Sequence, residues 1–311
     1  MKTTGLALLA LAVVAHGDVL SDFFPFLGSP DPAYEDPARK SAVRESDSGL
    51  APFSPADSDF GVQQVLGDAT IAPTFHLLGS ISANVTDNAP GATRALDDSS
   101  WYANLLLGAI WEPRLPAGWT GDVGVTQEFY EFERDQAIDF QNLTVRAGVV
   151  KNLVDLGDTI FYARYEYQRL VTGSWSEGDY SAQRIRTGLR KVLFLGSHHQ
   201  LLGGVSAALD LDANPELLER NEFALDLAYT WWLTRDLGAT LSWRGSYWDF
   251  DNGGREDWNH TVGLRFDWQT CPASTLFAHV YYSNHDSNTP LGVNDSESWH
   301  SGIGLGVQLA F

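Results

Sequence analysis

The 311-residue chain has one cysteine and one methionine, and its 20 basic residues stand against 40 acidic ones, a formal net charge of −20. The lone Cys271 excludes an internal disulfide and a cysteine-built metal site. So large an excess of acid removes the basic footprint that nucleic-acid binding requires. Long hydrophobic runs are also missing. The apolar segment at residues 5–15 is too short to cross a bilayer as a helix. No later segment reaches about 18 apolar residues, so no transmembrane helix is expected. Lys2 precedes the short apolar segment, and Ala15-His16-Gly17 follows it with small residues at 15 and 17. Residues 1–17 therefore read as a secretory signal peptide, and the rest of the chain as exported.

Apolar residues are not scarce, at 44% of the chain with 11 Trp, 11 Tyr and 16 Phe, so a globally disordered chain is excluded. Their distribution is uneven. Residues 18–68 are rich in Pro, Ser and Asp and read as a flexible acidic tail. Phe23, Phe24 and Phe26 are the apolar cluster of that tail, and a tail that plugs a pore is the alternative.

From about residue 69 the hydrophobic period becomes 2. In the last segment Trp299, Ile303, Leu305, Val307, Leu309 and Phe311 share one parity, and His300, Gly302, Gly304, Gly306 and Gln308 the other. About twelve such segments follow one another: 70–84, 100–112, 120–133, 139–151, 159–172, 180–194, 199–212, 221–234, 237–250, 257–270, 274–285 and 298–311. Most run well beyond the about five or six residues of an ordinary globular strand. Long polar connections alternate with short ones, with the segment PRLPAGW as the exception. Trp101 and Trp111, Trp258 and Trp268, and Trp299 and Phe311 mark both ends of the apolar parity, where interfacial girdles belong. The expected fold is all-β: a transmembrane antiparallel up-and-down β-barrel of about twelve strands over residues 69–311.

Signal peptide, alternating strands, unequal connections and the ending GIGLGVQLAF resemble Gram-negative outer-membrane β-barrel proteins of the porin-like kind. The resemblance implies residence in the bacterial outer membrane with both termini periplasmic and outer-membrane lipid around the barrel. It also implies recognition of the C-terminal strand, through Phe311, by the barrel-assembly machinery. Small solutes are the expected partners, with no cofactor and no nucleic acid.

A second, local resemblance lies in the last hairpin. Asn284-His285-Asp286-Ser287-Asn288, followed by Ser298-Trp299-His300, is similar to the His-x-Ser-Asn motif of outer-membrane phospholipase. It implies Ser287 as nucleophile, His285 as base and a third member near His300. The inward parity of His285 speaks against a lipid-facing site. A polar hairpin loop accounts for the same residues without chemistry.

No metal is expected, although His76, His279 and His300 share the inward parity on strands that become neighbours on closure. The inward charges carry more information. Arg146, Arg164, Arg184, Arg186 and Arg190 fall on strands 4–6, and Asp210, Asp212, Glu222 and Asp226 on strands 7 and 8. Glu112, Asp122 and Glu128 lie on strands 2 and 3, and Arg244, Arg265 and Asp267 on strands 9 and 10. Facing walls of opposite charge give a narrow channel a transverse field that sorts solutes. The alternatives are a lumen filled by salt bridges, as in a structural or adhesive surface barrel, and the lipid hydrolase.

Overall fold

The computed structural model describes residues 74–88, 99–133, 139–172, 180–196, 198–251, 254–289 and 295–311. The expected signal peptide and acidic tail lie outside them. Twelve strands follow in chain order: β1 (Phe75–Thr86), β2 (Ser100–Trp111), β3 (Trp119–Phe132), β4 (Phe140–Leu153), β5 (Thr159–Thr172) and β6 (Tyr180–Phe194) make the first half. β7 (His199–Asn214), β8 (Arg220–Trp232), β9 (Leu237–Phe250), β10 (Glu256–Cys271), β11 (Ser274–Ser287) and β12 (Ser296–Ala310) make the second. Each pairs with its chain neighbours, and β1 pairs with β12, so the sheet is a closed antiparallel barrel.

Closure is tight at the seam. The ladder runs from His76 opposite Ala310 to Thr86 opposite His300. Beyond it, Thr74 N donates to Phe311 O at 2.9 Å, and Phe311 N donates to Phe75 O at 2.9 Å. A sheet in lipid has no water to satisfy an open edge, so this pairing is what lets the alternating strands exist in a bilayer.

The two parities separate as their chemistry demands. Outward residues such as Ile81, Leu107, Val205, Leu241, Ile303 and Leu305 stay exposed, whereas inward Asn84, Glu128, Asn142, Arg186 and Thr261 are buried. The strands span 12 to 16 residues, beyond the about 9–11 that a tilted strand needs to cross a bilayer. Outward Trp101 and Trp111 on β2, and Trp258 and Trp268 on β10, lie ten residues apart. At about 3.4 Å per residue and a tilt near 40°, that spacing matches the about 25 Å apolar band between two aromatic girdles.

Both described chain ends lie at one end of the barrel with five connections, and the other six connections lie at the opposite, loop end. The exceptional PRLPAGW segment still makes a compact turn: Arg114 bridges Thr120, and a 3-10 turn at Pro116–Gly118 reverses the chain.

One inward assignment is corrected. The β6–β7 register places Gln183 opposite Asp212 but Arg184 opposite Asp210, so Leu211 is an extra residue in β7. A bulge reverses the alternation beyond it. Ala213 is therefore buried, whereas Asp212 is exposed and accepts a bond from Gln183 Nε2 at 3.2 Å.

Candidate functional site

Inside the barrel, inward charges from six strands join into a chain that runs from β3 to β9. Arg146 Nε on β4 donates to Asp122 on β3 at 2.9 Å. Arg164 on β5 lies 3.6 Å from Asp122 and 3.3 Å from Glu166. Arg186 on β6 lies 3.0 Å from Glu166 and 3.5 Å from Glu222 on β8. Arg244 on β9 closes the run, 2.6 Å from Glu222 and 2.9 Å from Asp226. Two pairs flank it: Arg184 with Asp210 at 3.1 Å, and Arg265 with Asp267 at 2.8 Å. Arg190 lies over the Tyr162 ring, 4.9 Å from its centroid.

Small residues make these reaches possible. Arg186 spans β7 to Glu222 because Ala208 stands between them in register. Gly124 faces Arg146 in the β3–β4 register, and Gly148 faces Arg164 between β4 and β5. A Cβ on Gly148 would sit 2.5 Å from the Arg164 Cβ. The separate basic and acidic walls expected from the sequence are therefore knitted into one alternating chain. Burying such charges is tolerable only because each meets an opposite one.

A second layer went unrecognised in the sequence. Tyr102, Tyr130, Phe140, Leu170, Tyr180, Trp248 and Phe250 form one buried apolar cluster inside the barrel. All sit at strand ends next to the loop-end connections. Tyr130 stacks on Phe140 at 4.2 Å, and Tyr102 on Phe132 at 5.0 Å. Leu218, from the 3-10 turn Glu216–Leu218 between β7 and β8, belongs to the same cluster. The guanidinium of Arg220 lies 3.7 Å over Trp248. Inward parity marked these rings, but aromatics in such a chain also serve as girdles. Beside Leu218, partial desolvation and then the like charges of Asp251, Asp210, Glu216 and Asp212 push the Glu219 carboxyl above its ordinary range.

The structure does not assemble the hydrolase constellation. His285 Nε2 lies 3.0 Å from Asp257 Oδ2, and its Nδ1 contacts the Asn259 amide oxygen. Both ring nitrogens are thus committed away from Ser287. Ser287 Oγ accepts from Thr289 N at 3.3 Å, and Ser287 N donates to Asp295 at 2.8 Å. His300 pairs with Tyr281 in register, whereas His285 pairs with Ser296. The ring nitrogens of His300 meet Ser298 Oγ at 3.0 Å and the Tyr102 hydroxyl at 3.3 Å, and its ring stacks on Tyr281.

The three inward histidines do not converge either. His76 lies opposite Ala310 near the chain termini, His279 opposite Gly302, and His300 opposite Thr86. His76 instead pairs with Glu112 at 3.2 Å. Among the described residues no group of His, Cys, Asp and Glu is placed to hold a metal ion.

No protein-family model matches the chain, and no curated protein matches it. Among solved structures, the barrel is similar to the COG4313 outer membrane channel from Pseudomonas putida F1. The two are 12% identical, with 78% of this chain and 98% of that chain covered, at a TM-score of 0.52. Weaker likenesses include the NanC porin (11% identity, 75% of this chain and 100% of that chain, TM-score 0.44). Another is the outer membrane channel DcaP of Acinetobacter baumannii (9%, 76% and 96%, 0.43). At such identities the likeness is one of architecture. Together with the closed seam, the apolar exterior and the charged interior, the likeness to the Pseudomonas putida channel establishes that the chain has the fold of porin-like outer-membrane β-barrels.

Proposed function

We propose that the protein is an outer-membrane channel that passes small polar or charged solutes through its lumen, with both termini in the periplasm. The observation that carries this reading is the chain of arginine–carboxylate pairs from Asp122 to Asp226 inside an apolar shell. A barrel built only to be filled is served equally well by packed apolar side chains, which avoid the desolvation of eight ionised groups. Fixed charges of both signs beside a wet path give a transverse field that orients and sorts solutes. On this reading Arg146, Arg164, Arg184, Arg186, Arg190, Arg244 and Arg265, with Asp210, Glu222, Asp226 and Asp267, line the path. Outer-membrane lipid surrounds the barrel, and the strand ending in Phe311 is the mark read by the assembly machinery.

The test is single-channel conductance of the refolded protein in a planar bilayer, with and without residues 18–60. Stepwise, charge-selective current supports the channel. Current only after removal of the tail makes the tail a plug. A folded barrel silent in both forms rejects the channel in favour of a structural or adhesive role for the loop end.

A further inference from the structure

The aromatic layer at the loop end is out of place in a lumen meant for hydrated solutes. It is apolar, it is stacked, and it is entered by a side chain from outside the strands. We propose that Leu218 and the aromatic residues around it form a selective gate that slows hydrated ions and yields to solutes that carry a flat apolar ring. The inference rests on the channel reading and names the solute class that the channel favours.

Three features point the same way. Leu218, Trp248 and Tyr180 are each only 1% exposed, so the layer is packed shut on this side of the lumen. An apolar constriction hinders hydrated ions because their water has no partners there, and such constrictions narrow the wet path by dewetting. The plug is also separable from the wall. Leu218 sits on a three-residue turn with two bonds of its own, Leu218 N donating to Pro215 O at 2.9 Å and Glu219 N to Glu216 O at 3.1 Å; Asp251 N, in the β9–β10 connection, donates to Glu219 O at 3.1 Å and tethers the end of the turn. Swinging the turn out leaves the β7–β8 ladder intact, because that ladder runs only from Leu209–Asn221 to His199–Trp231.

The vacated place suits a planar ring. The cluster to which Leu218 belongs is made largely of rings: Trp248, Phe250, Tyr180 and the stacked pair Tyr130–Phe140. One planar group already stands over a ring of this cluster, the Arg220 guanidinium 3.7 Å from the Trp248 centroid. Ring stacking and burial replace what the departing Leu218 loses, whereas a small ion offers nothing in exchange. Beneath the layer, the solute's charged group meets Arg186, Arg244 and their carboxylates. The favoured class is therefore a small ring-bearing solute with an ionised group.

The test uses the full chain in liposomes and two strong-acid probes of equal charge, benzenesulfonate and methanesulfonate. Neither crosses lipid appreciably in its ionised form. The wild type passes benzenesulfonate several-fold faster, although it is the larger ion. Leu218→Ser raises potassium chloride conductance several-fold and removes the preference, while Leu217→Ser, on the exposed neighbour in the same turn, changes neither. If Leu218→Ser does not assemble, Leu218→Ala gives the same two readouts. A conducting wild type that passes methanesulfonate faster overturns the gate and leaves the channel standing. A folded barrel impermeable to every probe, wild type and variants alike, overturns the channel reading and the gate with it.

Discussion

Arg186 holds two carboxylates that come from different strands, so its loss has two separable effects. Arg186→Gln leaves Glu166 and Glu222 buried without the cation between them. Removing one partner of a buried pair costs about 3–5 kcal/mol, to be read as a lower urea midpoint of the reconstituted barrel. On the channel reading the same variant shifts the reversal potential toward cation preference. Glu166 keeps Arg164 and Glu222 keeps Arg244, but the network is left one cation short, so adding Glu222→Gln restores part of both by removing the excess negative charge; no restoration would show that the two side chains act independently. Gly148 makes a different prediction. A Cβ there would lie 2.4 Å from the Ala163 carbonyl oxygen, so Gly148→Ala displaces backbone and not a flexible side-chain end. The expected loss is about 1–3 kcal/mol, the usual scale of overpacking, measured by the same unfolding curve. The inward arginines were legible from parity alone. Their partners were not, because a reach such as Arg186 to Glu222 depends on Ala208 being small on the strand between.

Strands were the most legible level. The twelve alternating segments recur as β1–β12 because lipid on one side and a polar interior on the other impose period 2 on every strand. Parity fails where the backbone departs from regular pleating, and the β7 bulge is the case in point. Asp212 and Ala213 exchange the faces that strict alternation gives them. Single cysteines placed at each position, with Cys271 changed to serine, test this directly. A membrane-impermeant maleimide is expected to label Asp212→Cys and spare Ala213→Cys in the assembled barrel. The opposite pattern would mean that β7 pairs without the extra residue. Parity also assigns a face and not a height. Tyr130, Tyr180 and Trp248 share the parity of the inward charges on their strands, but their meeting in one layer follows from register between strands, which one strand's pattern does not contain. For the same reason His76, His279 and His300 looked like neighbours and are spread along the seam.

At the scale of the molecule, every strand depends on a closure made between the two ends of the described chain. β12 is hydrogen-bonded to β11 on one side and to β1 on the other. Its removal therefore uncovers two edges at once, each a row of backbone groups that lipid cannot satisfy at several kcal/mol apiece. No local repair is available, since each remaining strand already has both neighbours except β1 and β11, which stand at opposite ends of the opened sheet. Direct closure of β1 on β11 keeps the antiparallel hydrogen-bond pattern impossible, because an odd number of alternating strands brings two parallel ones together at the seam. Deleting residues 296–311 is accordingly expected to abolish the compact barrel altogether and not merely to weaken it. The measurement is electrophoresis with and without heating. The full chain migrates as a fast folded band that heating converts to a slower one, and the deleted chain runs only at the slow position. A fast, heat-sensitive band from the deleted chain would show that eleven strands suffice, and that the seam contributes stability without defining the fold.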